Sequence, residues 1–280
     1  MAWASASAFS RSRCCRSANG AKRWGPDQLR RLAWCAGAAY CFLLIGFIDD
    51  TFALGPRAKF AVFVVASVGA VLAAGVAETL PIGGGIVLEF GFWIGLGGSM
   101  LWVFTLVNCV NFMDGANGLS MGSTAIGLAA LGATSLAAGA TDAAVLAFCG
   151  AGALAGFLVW NFPKGRLFAG DSGALFAGAL AATASLMAIE EGGISPFIPP
   201  ILFFPLLADA LLTLAWRASK KRDLLDGHAE HIYQIGLRSK LKHSQVSVAY
   251  WVVTAIAARS ASSRPKHGAA RLRWRIKRAR

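Results

Sequence analysis

The sequence predicts an all-α integral membrane protein, a multi-pass bundle of about eight transmembrane helices. Three observations carry that prediction. The 280 residues are 56% hydrophobic and only 15% charged, with a mean hydropathy of +0.57, whereas soluble domains carry about 25% charged residues. The charge that exists is bunched, which leaves apolar stretches of bilayer-spanning length. The 32 glycines suit packed transmembrane helices, where small residues let backbones approach.

The elements follow in order. A first apolar span covers 32–48 and stops at Asp49-Asp50. The second, roughly 60–77, begins after Lys59 and ends before Glu78. The third, 90–107, lies between Glu89 and Asn108. The fourth and fifth, 121–139 and 143–161, are parted by a short turn holding Asp142. The sixth, 173–189, follows Asp171 and stops at Glu190. The seventh, 197–216, stops at Arg217, and the eighth, 246–258, is marginal in length. Glycine and proline punctuate the turns, as in Pro81-Ile82-Gly83-Gly84-Gly85 and Glu191-Gly192-Gly193. No repeat and no separate soluble domain is visible.

Charge sets the sidedness. Alternation puts the loops after the first, fifth and seventh spans on one face, together with loop 108–120. Between residues 32 and 245 that face holds all 11 Lys and Arg residues. The opposite loops hold Glu78, Glu89, Asp142, Glu190 and Glu191 and no basic residue. The positive-inside rule makes the basic face cytoplasmic. The ends depart from this pattern. Residues 1–31 carry seven Lys or Arg and residues 259–280 carry nine, and alternation places both outside. Neither resembles a signal peptide. Each is either an interfacial basic segment or aberrant sequence from a shortened or shifted reading frame. The organisation expected is therefore a basic tail over 1–31, a multi-pass domain over 32–258 and a second basic tail over 259–280.

The net charge of +13 would suit nucleic acid, but loops that topology requires to be basic account for much of it. With no soluble domain, a nucleic-acid role is not expected. The six cysteines show no metal-like spacing, and those inside spans read as small core residues.

Four polar clusters end up on the basic face, each at the end of a span. Asp49 and Asp50 are adjacent carboxylates, which repel in a low dielectric and so recruit a cation or raise one pKa; Arg57 and Lys59 follow them. Asn108, Asn111, Asp114 and Asn117 recur every three residues and share a face if helical. Their oxygens suit hard cations and nucleotide hydroxyls. Gly115 and Gly118 suggest a broken helix there. Gly170-Asp171-Ser172-Gly173 opens the sixth span, where Asp171 is either an N-cap or a metal ligand. Phe168 either stacks on a base or anchors the interface. His228 and His231 sit in the most basic loop and suit phosphate contact better than zinc. Asp209 lies inside the seventh span and is functional or paired, with Arg217 a candidate partner.

Together these pieces resemble the polyprenyl-phosphate N-acetylhexosamine-1-phosphate transferases. The resemblance rests on GFIDD at 46–50 with LGPRAK at 54–59, NCVNFMDGANGLS at 108–120, LFAGDSGALFAG at 167–178 and HAEHIYQ at 228–234. The histidine motif is most similar to the bacterial branch that initiates lipopolysaccharide O-chains. The resemblance implies an active site at the cytoplasmic face of the bacterial inner membrane. It implies transfer of an N-acetylaminosugar 1-phosphate from a UDP-sugar to undecaprenyl phosphate, releasing UMP, as the first step of O-antigen or other cell-envelope polysaccharide synthesis. It implies Mg²⁺, with Mn²⁺ as a substitute, held by Asp171 and Asn111. Asp49, Asp50 and Asp114 become catalytic candidates. Asn108, Asn117 and Phe168 become nucleotide contacts, and Lys59, His228 and His231 phosphate contacts. The partners implied are the UDP-N-acetylaminosugar, undecaprenyl phosphate and the bilayer, and a homodimer is compatible with them. Family members usually carry further helices before GFIDD and full-length helices after the histidines, so the chain is expected to be shortened at both ends. Two alternatives stay open: an inactive truncated relative, and an ion-coupled transporter.

Overall fold

The structure, a computed structural model, describes residues 25–52, 54–83, 86–223 and 230–262. Most of both expected tails, and His228, lie outside the described residues.

Among the described residues the chain forms ten helices and one hairpin. Helix α1 is Pro26–Phe52 and α2 is Pro56–Ala74. Strands β1, Thr79–Gly83, and β2, Ile86–Glu89, pair antiparallel with Thr79 opposite Glu89 and Leu80 opposite Leu88. Then come α3 (Phe92–Phe112), α4 (Leu119–Ala138), α5 (Thr141–Asn161) and α6 (Gly170–Gly192). The short α7 (Ile198–Leu202) leads into α8 (Phe204–Ser219). Helices α9 (Ile232–Arg238) and α10 (His243–Ser262) complete the set.

The six helices from α1 to α6 that precede α7 are long and apolar enough to cross a membrane, the make-up of a multi-pass membrane protein. The expected count of eight is not reached by that measure. The seventh span is divided at Phe203, because Pro205 begins α8 without an N–H to offer the preceding turn. The 16 residues of α8 rise only about 24 Å. The eighth span lies within α10, which is long enough but not apolar enough to join the six. The all-α expectation also needs one correction. Loop 78–89 pairs as a hairpin, favoured by the β-branched Thr79 and Val87.

Helix α6 is the hub. Nearly every residue from Ala174 to Ala188 is buried, and α1, α2, α3, α4 and α5 pack around it. Its lining of alanine and glycine permits close approach, the main source of helix association in lipid. A Cβ on Gly178 would lie 2.7 Å from the Cα of Val107 in α3. A Cβ on Gly46 would lie 2.5 Å from the Cα of Ser172. The α1–α6 crossing therefore needs glycine at 46, and that crossing brings Asp49 and Asp50 to the start of α6.

Two polar ends result. The C-terminal ends of α1, α3, α5 and α8 gather with the N-terminal end of α6. At the far end Arg31 explains its own exception to the charge pattern. It donates to the Ala74 carbonyl at 2.8 Å and pairs with Glu190. Beside it Gln28 donates to Asp142 at 3.0 Å, and Glu191 accepts from the N–H groups of Asp142 and Ala143 at the start of α5.

Candidate active site

Three elements build the centre of the site. Asp49 comes from the last turn of α1, Lys59 from the first turns of α2, and Asp171 from the first turn of α6. The Lys59 ammonium lies 2.5 Å from Asp49 Oδ2 and 2.5 Å from Asp171 Oδ2. Asn111, from the end of α3, donates its amide to Asp171 Oδ1 at 2.8 Å. Asp49 Oδ1 accepts from the Leu54 N–H at 2.9 Å, which fixes the α1–α2 turn. Gly55 and Pro56 then start α2, with proline at a position whose N–H has no helical partner. One cation against two carboxylates leaves this centre with a net charge of −1 before Asp50 and Asp114 are counted.

Asp50 faces the other way. Its carboxylate accepts from the N–H of Asp171 at 3.0 Å, the N–H of Ser172 at 3.0 Å and the Ser172 hydroxyl at 2.6 Å. It caps α6 from outside that helix and satisfies donors that a helix start leaves open. Gly170 makes this approach possible: φ is +62°, and a Cβ there would lie 2.8 Å from Asp50 Oδ2. Because Asp50 supplies the cap, the Asp171 carboxylate is left to Lys59 and Asn111.

The 108–117 series is only partly helical. Asn108 and Asn111 lie on α3, which ends at Phe112, and Asp114 and Asn117 sit on the following turns. The break falls at Gly115 and Gly118, where the spacing had suggested one. Asn108 is turned back to the Phe104 carbonyl at 2.7 Å. Asp114 accepts from the Ser120 hydroxyl. Burial pushes its pKa up to about 7; the Ser120 hydrogen bond opposes this shift and the charge of Asp171 adds to it. Asn117 donates to the Pro163 carbonyl at 3.2 Å, and its backbone meets His243 and Ser247 of α10.

Phe168 is 72% exposed and free to meet a planar ring. His231 is buried, with its ring stacked on Phe112 and on Tyr233. The structure thus brings Asp49, Lys59, Asn111 and Asp171 into direct contact. Asp50 joins them through backbone, and Asn108, Asn117 and His231 are engaged elsewhere. Arg217 is not the partner of Asp209. Eight residues span about 12 Å of helix, and Arg217 instead meets Glu230 at 2.6 Å.

Sequence reasoning missed Asn161. This buried amide accepts from the Gly118 N–H at 2.5 Å and donates to the Leu167 carbonyl at 2.7 Å. It joins the loop carrying Asp114 to the loop carrying Phe168. The only signal was a lone amide ending an apolar helix.

The donor set has a definite chemistry. Among the described residues no three His, Cys, Asp or Glu side chains form a ready metal cage. Magnesium does not require one, since it keeps several waters and takes one or two carboxylates together with substrate phosphates. Two carboxylates converging on one ammonium, with an amide beside them, form a hard-oxygen, net-negative cluster, which is the donor chemistry such an ion takes.

The sequence model of glycosyl transferase family 4 matches residues 32–189. Among similar proteins is a probable undecaprenyl-phosphate N-acetylglucosaminyl 1-phosphate transferase of Bacillus subtilis, 24% identical over 216 residues, covering 73% of this chain and 58% of the relative. A decaprenyl-phosphate N-acetylglucosaminephosphotransferase of Mycobacterium tuberculosis is 30% identical over 246 residues, covering 78% and 60%. A phospho-N-acetylmuramoyl-pentapeptide-transferase of Moorella thermoacetica is 30% identical over 196 residues, covering 67% and 60%. The chain spans about three fifths of the length of these relatives. The family match covers more than half of the chain and includes the segments that carry Asp49, Lys59, Asn111, Asp114 and Asp171: this protein belongs to glycosyl transferase family 4.

Proposed function

We propose that this protein transfers an N-acetylaminosugar 1-phosphate from a UDP-sugar to undecaprenyl phosphate, releasing UMP. The reaction would start a cell-envelope polysaccharide such as O-antigen, at the cytoplasmic face of a bacterial inner membrane. The observation that carries this reading is the convergence of Asp49, Lys59, Asn111 and Asp171 at one end of an apolar bundle. Anionic phosphates and a hard cation both find partners there, within reach of a lipid acceptor from the bilayer and a nucleotide from the aqueous side. The names of two relatives include a polyprenyl phosphate and an N-acetylglucosamine phosphate, which supports a lipid-phosphate acceptor and an N-acetylaminosugar.

Asp171 and Asn111, with Asp49 alongside, would hold Mg²⁺, which when bound supplies charge neutralisation for the diphosphate and the leaving UMP. Lys59, held 2.5 Å from each of two carboxylates, would pass its ammonium to a phosphate oxygen as those carboxylates take a cation. Asp114 has the pKa suited to taking a proton near neutrality, and it is the better candidate for deprotonating the lipid phosphate. Asp49 orients that phosphate through Lys59, and Asp50 keeps the α6 start in place. Phe168 offers its face to uracil, with Asn108 and Asn117 shaping the nucleotide side. His228 keeps the phosphate contact implied by its motif, and His231 stacks against Phe112 at the end of α3.

The experiment is transfer of radiolabelled sugar phosphate into an organic-extractable lipid, by membranes containing this chain. Label in the lipid fraction with no accompanying ion flux supports the transferase. Ion flux without lipid product would replace it with the transporter reading.

A further inference from the structure

Asp209 lies within α8 and is 2% exposed, a buried carboxylate with no part in the proposed chemistry. A buried carboxylate is costly unless it is hydrogen-bonded, and this one has partners from two other places in the chain, residues 231–233 and Tyr250. It accepts from the N–H groups of Ile232 at 2.8 Å and Tyr233 at 3.1 Å, the first two residues of α9. The Tyr250 hydroxyl of α10 donates to it at 2.5 Å. Nδ1 of His231 lies 3.4 Å away.

Helix α9 has seven residues, too few to persist without support. The carboxylate supplies an acceptor for donors that its first turn leaves open. From α9 and the His231 that precedes it, two rings then reach the segment carrying Asn111 and Asp114. The Tyr233 hydroxyl donates to the Phe112 carbonyl at 3.2 Å. A Cβ on Gly115 would lie 2.1 Å from that hydroxyl oxygen. His231 stacks on Phe112 with ring centroids 6.1 Å apart.

We propose that Asp209 is a positioning residue: from α8 it anchors α9, and α9 holds the Asn111–Asp114 turn in register with Asp171. The effect on turnover rests on the transferase reading; the anchoring does not. Tyr250 is the second member of the device and brings α10 into it.

The test uses the full chain in membranes or detergent, with Asp209→Ala, Asp209→Asn and Tyr250→Phe. Hydrogen exchange is followed by mass spectrometry in peptides covering 230–240 and 109–118, with peptides from α6 as an internal reference. Asp209→Ala should speed exchange in both segments by about tenfold or more, given hydrogen bonds lost to a charged acceptor, and leave α6 unchanged. Turnover should fall by a similar factor while KM for the UDP-sugar moves less than about threefold. Asp209→Asn keeps the shape and one acceptor oxygen and should fall between, as should Tyr250→Phe. Unchanged exchange at 230–240 would overturn the anchor. Faster exchange with unchanged turnover in an active wild type would overturn the link to the site. An inactive wild type that still shows the exchange change would overturn the transferase reading and leave the anchor standing.

Discussion

Asp50 takes the capping place that the sequence offered to Asp171. The sequence offered Asp171 as an N-cap or a metal ligand and Asp50 as part of a catalytic pair. In the fold Asp50 caps α6 from a neighbouring helix, with three hydrogen bonds. Asp50→Ala should therefore cost about 1–2 kcal/mol of stability, read as a lower midpoint of thermal unfolding, and weaken turnover as a consequence. Asp171→Asn should leave stability within about 1 kcal/mol and lower metal-dependent transfer by about hundredfold or more. Asp114 couples pH to both properties. Its pKa is raised to about 7, so the folded state holds a proton between about pH 4 and that value. Stability from this group falls as pH rises through the same window. Turnover should rise from about pH 6 to 8 as the base form appears. Asp114→Asn should flatten that rise at low activity and raise the unfolding midpoint above neutrality. Residue types at span ends made Asp49, Asn111 and Asp171 legible in the sequence. The cap by Asp50 and the anchor at Asp209 were not, because each depends on a backbone amide distant in the chain.

At the scale of elements, apolar runs bounded by charge located the first six helices with ends out by up to six residues, as at the start of α1. The same reading failed at two places. It treated 197–216 as one span, although Pro205 divides it, and it passed over the hairpin at 79–89, too short to show a clear alternation. Close approaches were also hidden, since glycine at 46 reads as ordinary membrane composition. Its packing is specific. Gly46→Ala places a methyl against the backbone of Ser172, and neither helix can move without carrying Asp49 or Asp171. The expected cost is about 1–3 kcal/mol, with turnover falling far more than for alanine at Gly37, where a Cβ meets nothing within 4 Å. Thermal melts and rates of the two variants check this.

The described part of the molecule is polarised. Its basic loops and its candidate site share one end, and Arg30 and Arg31, each paired with a carboxylate, share the other with Asp27, Glu78, Glu89, Asp142, Glu190 and Glu191. Sequence charge alone gave that sidedness for residues 32–245. With native cysteines replaced by serine, a cysteine at exposed Lys164 should label only from the cytoplasm and one at exposed Glu89 only from outside. Both labelling from one side would break the arrangement on which the site depends. The most direct test of the account is UMP release from UDP-N-acetylglucosamine and related UDP-aminosugars, by membranes holding this chain with undecaprenyl phosphate and Mg²⁺. The account predicts release that requires both lipid and metal and is lost in Asp171→Asn. Release that ignores the lipid, or persists undiminished in Asp171→Asn, would contradict it.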